Sequence, residues 1–416
     1  MVENTNLSNV KNNFTLLNLL MNRDFFFLWL ANGFWWLAMW VEMIIVGWLT
    51  LEITNSALSV SIAGFCRAIP LLLVGPIGPL MIQRYEKRKI LWWLQGTGAL
   101  ITLILVLIHL KFHIDYYIIL FYCLVMGILW ALDWPTRRSI LPDIVGTSRV
   151  TDGLLMENIL QSLTRIIGPI GGGFVLATIG IEGSLVTLFV ISFTSLLCLL
   201  FIGDIPNDSF NRFNFSGFAD EFCKGINFVR KTSAVLGVFF ITLVMNIWAF
   251  PFQILLPVIA RDVLNQGPIG LGVLAAANGI GVTLGLVIIN QIKNKYSDRL
   301  LFFSGSFIVC FGLFLFSFTC NIWFAFLYLF LAGIGQAGFS VMQSSIILTS
   351  IPNRMRSRAM GAIVFAIGLG PLGRLQAGAT AEMFDIQIAV GSMALMAAIG
   401  VISTKLFLVD FLDRQH

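Results

Sequence analysis

Twelve long apolar stretches follow one another through the 416 residues, with few charges inside any of them. They run approximately over 25–50, 57–82, 90–110, 116–134, 152–178 and 183–203, then over 234–258, 269–290, 300–319, 322–348, 359–381 and 386–409. About 20 apolar residues are needed to cross a bilayer as a helix, so each stretch is a candidate span. In hydrocarbon the backbone must satisfy its own hydrogen bonds, which makes the spans α-helical. The chain is 58% hydrophobic and 11% charged, against about 25% charged in a soluble domain. It cannot cover a water-facing surface with polar groups, and a soluble globular fold is excluded.

The stretches form two sets of six. Residues 1–24 are polar and Asn-rich, without the charged start and cleavage site of a signal peptide. The first bundle is expected over 25–203, a polar linker over 204–233, the second bundle over 234–409 and a short tail over 410–416. Outside the spans, the Lys and Arg residues from Lys11 to Arg414 fall on one side of the membrane, with only Lys111 and Arg261 on the other. By the positive-inside rule both termini and the linker are cytoplasmic, which predicts a multi-pass membrane protein. An error of one span would scatter these charges over both sides. The net charge of +5 therefore reflects topology and does not point to a nucleic-acid partner. The cysteines are scattered singly, and His109 and His113 have no third ligand nearby, so no disulfide framework or metal site is expected. A P-loop is missing, so the expected energy source is a proton gradient, with no cofactor.

Five strings carry a family resemblance. They are NRDFFFLWLANGF at 22–34, GPIGPLMIQRYEKRK at 75–89, PTRRSILPDIV at 135–145, RIIGPIGGG at 165–173 and GLGPLGRLQAGATAE at 368–382. Together they resemble the major facilitator superfamily, in the twelve-span efflux group that includes the enterobactin exporter and macrolide-type exporters. The resemblance implies an all-α membrane fold of two pseudo-symmetric six-helix bundles that rock around a central cavity. Arg84, Arg88 and Lys89 match the family's basic signature loop, although Gln83 stands where the family has an aspartate. Gly168, Pro169, Gly172 and Gly173 match the core of its antiporter motif, in which small residues bring helices close and a proline bends the span. PTRRSILPDIV is read as a cytoplasmic loop. Arg374 departs from the family, which has a small or apolar residue there.

Charges left in mid-bilayer cost at least about 2.5–3.5 kcal/mol each, so they normally face a cavity or a partner. Glu42, Arg67, Arg165 and Arg374 are such charges, on helices that line the cavity in the resembled fold. Asn158, Gln161 and Arg165 share one face of span five with Glu157. Asn246, Asn278, Gln336 and Gln343 are candidates for the opposite wall or for interhelical bonds, and Trp40 for an aromatic surface. Three arginines against one mid-span acid favour an anionic small molecule, because guanidinium grips carboxylates in bidentate fashion. Glu42 is the first candidate for proton coupling, with Asp133 and Glu157 next. The expectation, with the resemblance, is a monomeric, proton-coupled exporter of a siderophore-like anion in the bacterial cytoplasmic membrane. The alternatives are a multidrug exporter, an importer of the same solute, a polytopic membrane enzyme and a receptor that no longer transports.

Overall fold

The computed structural model describes residues 18–75, 85–203, 233–351, 361 and 363–407. Arg84, the linker and the tail lie outside the described residues. The helices are α1 (Arg23–Thr54), α2 (Ala57–Leu73), α3 (Lys87–Lys111), α4 (Tyr116–Val145), α5 (Val150–Leu200), α6 (Ser233–Val244), α7 (Phe252–Val258), α8 (Pro268–Ile292), α9 (Asp298–Phe316), α10 (Ile322–Ser350), α11 (Gly370–Met383) and α12 (Ile386–Phe407). Among the described residues nine helical segments are long and apolar enough to cross a membrane, and α2 is a shorter apolar helix. The segment Val235–Val263 is one crossing built from α6 and α7, joined through π-helical turns at Met245–Ala249 and Ile259–Val263.

Although continuous in its hydrogen bonding, α5 is two crossings. Gly180 breaks it with φ 68° and ψ −172°, a backbone conformation that glycine adopts without a Cβ clash. Both arms return to the start of α1. The Trp29 indole donates to the Met156 carbonyl at 3.2 Å, and the Gly203 amide donates to the Asp24 carboxylate at 2.9 Å. Half-way up the second arm, Ser195 donates to the Ala31 carbonyl at 2.9 Å.

One correction concerns α4. PTRRSILPDIV is helical and extends α4 to Val145, through Pro135 and Pro142. Its Ile140, Leu141 and Val145 recur on one face and pack into a buried cluster with Phe25, Leu28, Leu91 and Leu199. That burial outweighs the helix-breaking tendency of the prolines. On α3 the exposed Trp93, Leu100, Ile104 and Leu107 form an apolar stripe at helical spacing, as a lipid-facing surface requires.

Helices α1 to α5 pack on one another, as do α6 and α8 to α12, and the sets meet along α5 against α8 and α2 against α11, with α7 reaching α1 and α2. The end where Arg23, Lys87 and Arg149 start their helices is called the basic end below. At the far end two cross-set contacts clamp the turn between α1 and α2. Glu382 accepts from Ser56 Oγ at 3.0 Å and from the Leu58 amide at 3.3 Å, at the start of α2. Arg261 donates to Asn55 Oδ1 at 2.9 Å and to the Leu51 carbonyl at 3.4 Å, at the end of α1. An anion thus meets a helix N-terminus and a cation a C-terminus, the favourable sense for both helix dipoles.

Candidate solute cavity

A cavity of about 230 Å³ lies between the two sets. Its charged wall is made by Glu42 of α1, Arg67 of α2 and Arg374 of α11, joined by Trp40, Trp130 and Gln253. Arg67 and Glu42 form a two-pronged pair, Nε to Oε1 and Nη2 to Oε2, both at 3.2 Å. Behind Arg67, α2 packs closely on α4 because Gly127 has no side chain: a Cβ there would meet the Arg67 carbonyl at 2.5 Å. Arg67 also sits over the Trp130 ring, 5.9 Å from its centroid. Across the cavity, Arg374 Nη1 donates to the Gly64 carbonyl at 2.9 Å, a contact between α11 and α2. The indole N–H groups of Trp40 and Trp130 are buried with no hydrogen-bond partner in the structure.

The expectation that Arg67, Arg165 and Arg374 line one space requires correction. Arg165 stands behind Trp40, 5.5 Å from its ring centroid, in the seam between the sets. There Nη2 donates to Asn278 Oδ1 at 2.8 Å and Gln336 Oε1 at 3.2 Å, so both amides bind an arginine from the other set. Gln343 is buried and donates to Thr242 Oγ1 at 2.6 Å, tying α10 to α6. Asn246 lies in the first π-helical turn and donates to the Thr242 carbonyl at 2.9 Å. The polar stripe of α5 has its own location: Glu157, Asn158 and Gln161 line a second cavity nearer the basic end, with Trp36, Trp134 and Arg138.

Asp133 is fully buried and ion-paired with Arg137, four residues on along α4. It also accepts from Gln95 Nε2 at 3.1 Å. Arg137 donates to Asn32, and Asn32 donates to Glu157 Oε1 at 2.5 Å, so one polar chain crosses α3, α4, α1 and α5. Sequence reading placed Arg137 in a loop and passed over Asn32 and Gln95. Their signal was the spacing of Asp133 and Arg137, which one helical turn brings together. Removing one member of a buried pair leaves an uncompensated charge, so Arg137→Ala is expected to lower stability by about 3–5 kcal/mol. Chemical denaturation in detergent checks this, with the exposed neighbour Arg138→Ala staying near wild type.

At the basic end Lys87 ion-pairs with Asp143 at 2.5 Å and donates to the Ser139 carbonyl at 3.2 Å, fastening α3 to the extension of α4. Arg88 stacks on Trp92 at 4.4 Å, and Lys89 pairs with Glu86 at 2.8 Å. The glycine motif divides its work between two neighbours. A Cβ on Gly168 would meet Trp40 Cβ at 2.5 Å, and one on Gly172 would meet Val41 Cα at 3.3 Å, so these two seat α1. Gly173 and Gly272 seat α5 against α8, where added Cβ atoms would strike the carbonyls of Pro268 and Pro169. Pro169 is buried in the same crossing.

A helical protein of this hydropathy, with a charged cavity between two sets of helices, is a membrane transporter. The sequence profile of the transmembrane secretion effector family, MFS_3, matches residues 15–415, and the chain belongs to that family. It is similar to the staphyloferrin A transporter of Staphylococcus aureus (strain NCTC 8325 / PS 47), with 23% identity over 91% of this chain and 94% of that protein. Macrolide efflux protein A of Streptococcus pyogenes is 21% identical over 64% of this chain and 65% of its own length. In fold it matches the nucleoside transporter NupG, with TM-score 0.66 and 14% identity over 96% of this chain and 100% of that one. A POT family transporter in complex with 5-aminolevulinic acid gives TM-score 0.72 and 12% identity, over 94% and 96% of the two chains. The protein is therefore a multi-pass transporter of a small molecule and not an enzyme.

Proposed function

We propose that the chain is a monomeric, proton-coupled exporter of an anionic, acceptor-rich solute of the siderophore class, with its basic end and both termini in the cytoplasm. The observation that carries this is the donor excess of the central cavity. Arg374 and Gln253 offer donors, while the one acid among the described lining residues, Glu42, is already gripped by Arg67. A solute rich in carboxylates and carbonyls satisfies that wall, and a lipophilic cation does not. The likeness to a staphyloferrin A transporter over nearly the whole chain supports the same class. The macrolide exporters keep a second reading open, that of a drug exporter, and the anion-selective wall argues against it.

Coupling follows from the Glu42–Arg67 pair. Solute and proton alternate: with Glu42 ionised, the anion binds Arg67 and Arg374 from the basic side; after it leaves on the far side Glu42 takes up a proton there, and it gives that proton to the basic side before the next anion binds. A crevice of about 40 Å³ lined by Glu42, Arg67, Gln95 and Asp133 leads from the pair into the first set of helices. It has room for a few waters, each needing at least about 10–15 Å³.

The test is reconstitution with a citrate-type chelator. Wild-type protein is expected to move it against its gradient when a pH gradient is applied. Glu42→Gln is expected to exchange chelator across the membrane without responding to that gradient. A Glu42→Gln protein driven by the pH gradient as well as wild type would remove Glu42 from the coupling.

A further inference from the structure

The cavity wall repeats one helical turn nearer the basic end. On α1, Trp36 stands one turn from Trp40, and on α4, Trp134 stands one turn from Trp130. Trp36, Trp134, Arg138, Glu157, Asn158 and Gln161 enclose a vestibule of about 160 Å³. It is a separate space from the central cavity, but α4 joins the two. Trp130, in the wall of the central cavity, stacks on Trp134, in the wall of the vestibule, with centroids 6.3 Å apart and planes at 13°. A guanidinium caps each end of the stack: Arg67 lies 5.9 Å from the Trp130 centroid and Arg138 lies 4.9 Å from that of Trp134.

The charges of the vestibule are not equivalent. Arg137 is committed to Asp133 and Asn32, and Glu157 is held by the Asn32 amide. Arg138 is exposed, with its Cζ 4.9 Å from the Trp134 ring centroid. A guanidinium held over an indole still has N–H donors with which to fork a carboxylate, and lysine has no such fork. Asn158 is exposed and Gln161 half-buried on the facing helix, and both add amide donors. Each cavity is smaller than the roughly 300 Å³ at which pockets for whole drug-sized ligands begin, so each takes one arm of a solute.

We propose that the vestibule is an entry subsite for the transported anion. One carboxylate-bearing arm docks on the edge of Arg138 beside Trp134, Asn158 and Gln161, and the solute then passes along the two indoles to Arg67 and Arg374. This rests on the export reading above, which makes the basic end the side of entry.

The experiment is initial-rate uptake of a radiolabelled citrate-type hydroxycarboxylate chelator into inside-out membrane vesicles, with the amount and thermal stability of each variant measured in parallel. Arg138→Gln and Trp134→Leu are expected to raise KM about tenfold or more, the loss of one charge-assisted contact, with Vmax within about twofold of wild type. Trp134→Phe, which keeps a ring face, is expected to recover most of the affinity. A purely structural role would lower stability or Vmax and would not be rescued in KM. Wild-type uptake with unchanged KM in Arg138→Gln and Trp134→Leu would overturn the subsite and leave the export reading standing. A wild-type protein that took up lipophilic cations but no carboxylate would overturn both.

Discussion

Arg374→Ala is expected to abolish measurable accumulation of a citrate-type chelator in inside-out vesicles at concentrations that saturate the wild-type protein. Arg374 is the guanidinium that the second set of helices contributes to the central cavity, and its Gly64 contact aims it across that space. Losing a charge-assisted hydrogen bond to a carboxylate costs about 1.5–3 kcal/mol, or roughly 10- to 150-fold in Kd. The effect on flux is larger, because a solute held only by the first set does not draw the two sets together around it. Arg374→Lys restores the charge without the fork, so only partial recovery is expected. Tryptophan quenching gives the Kd and vesicle uptake gives the rate. A variant that binds and moves the chelator as wild type does would place the solute elsewhere, and a drug exporter would show just that indifference.

The second large effect is expected at the crossing of α5 and α8. A side chain on Gly272 strikes the Pro169 carbonyl, and one on Gly173 strikes the Pro268 carbonyl, so the contact exists only without them. Gly272→Val therefore penalises the state in which the far end is shut and spares any state in which α5 and α8 separate. Overpacking costs about 1–3 kcal/mol, which shifts such an equilibrium by roughly 5- to 150-fold. Transport should fall to near background while the protein stays folded. A cysteine placed at Met43, in the cavity wall, should be labelled from the far side at a rate raised by a comparable factor in a background lacking the native cysteines. Unchanged labelling would mean that this crossing does not gate the far end. Glu382 and Arg261 clamp the same end through Ser56 and Asn55.

Much of the frame was legible in the chain because burial in lipid leaves few options: apolar length defines spans, and α8, α9, α10 and α12 lie close to their expected limits. The end of α4 was hidden by two prolines and two arginines that look like a loop, whereas its buried face depends on partners in α1, α3 and α5 that a local pattern does not display. The site was legible in its residue types and less so in their grouping. Glu42 and Arg67 stand out in the sequence as mid-span charges on neighbouring spans that can pair, and in the structure they do. Arg165 carried the same signal, but its neighbours Asn278 and Gln336 come from the other set, so its seam is a property of assembly. Gln253 and Asn32 passed unnoticed because a lone amide in an apolar run looks the same whether it faces a cavity or a neighbouring helix.

The central claim is an exchange: the anion that reaches Arg67 and Arg374 leaves the basic side while a proton held by Glu42 travels the other way. Inside-out vesicles loaded with a pH dye and given chelator without ATP measure it directly. The lumen should become more alkaline as chelator accumulates, and Arg374→Ala should silence the signal. Accumulation of chelator with no change in lumen pH, or with acidification, would contradict the account.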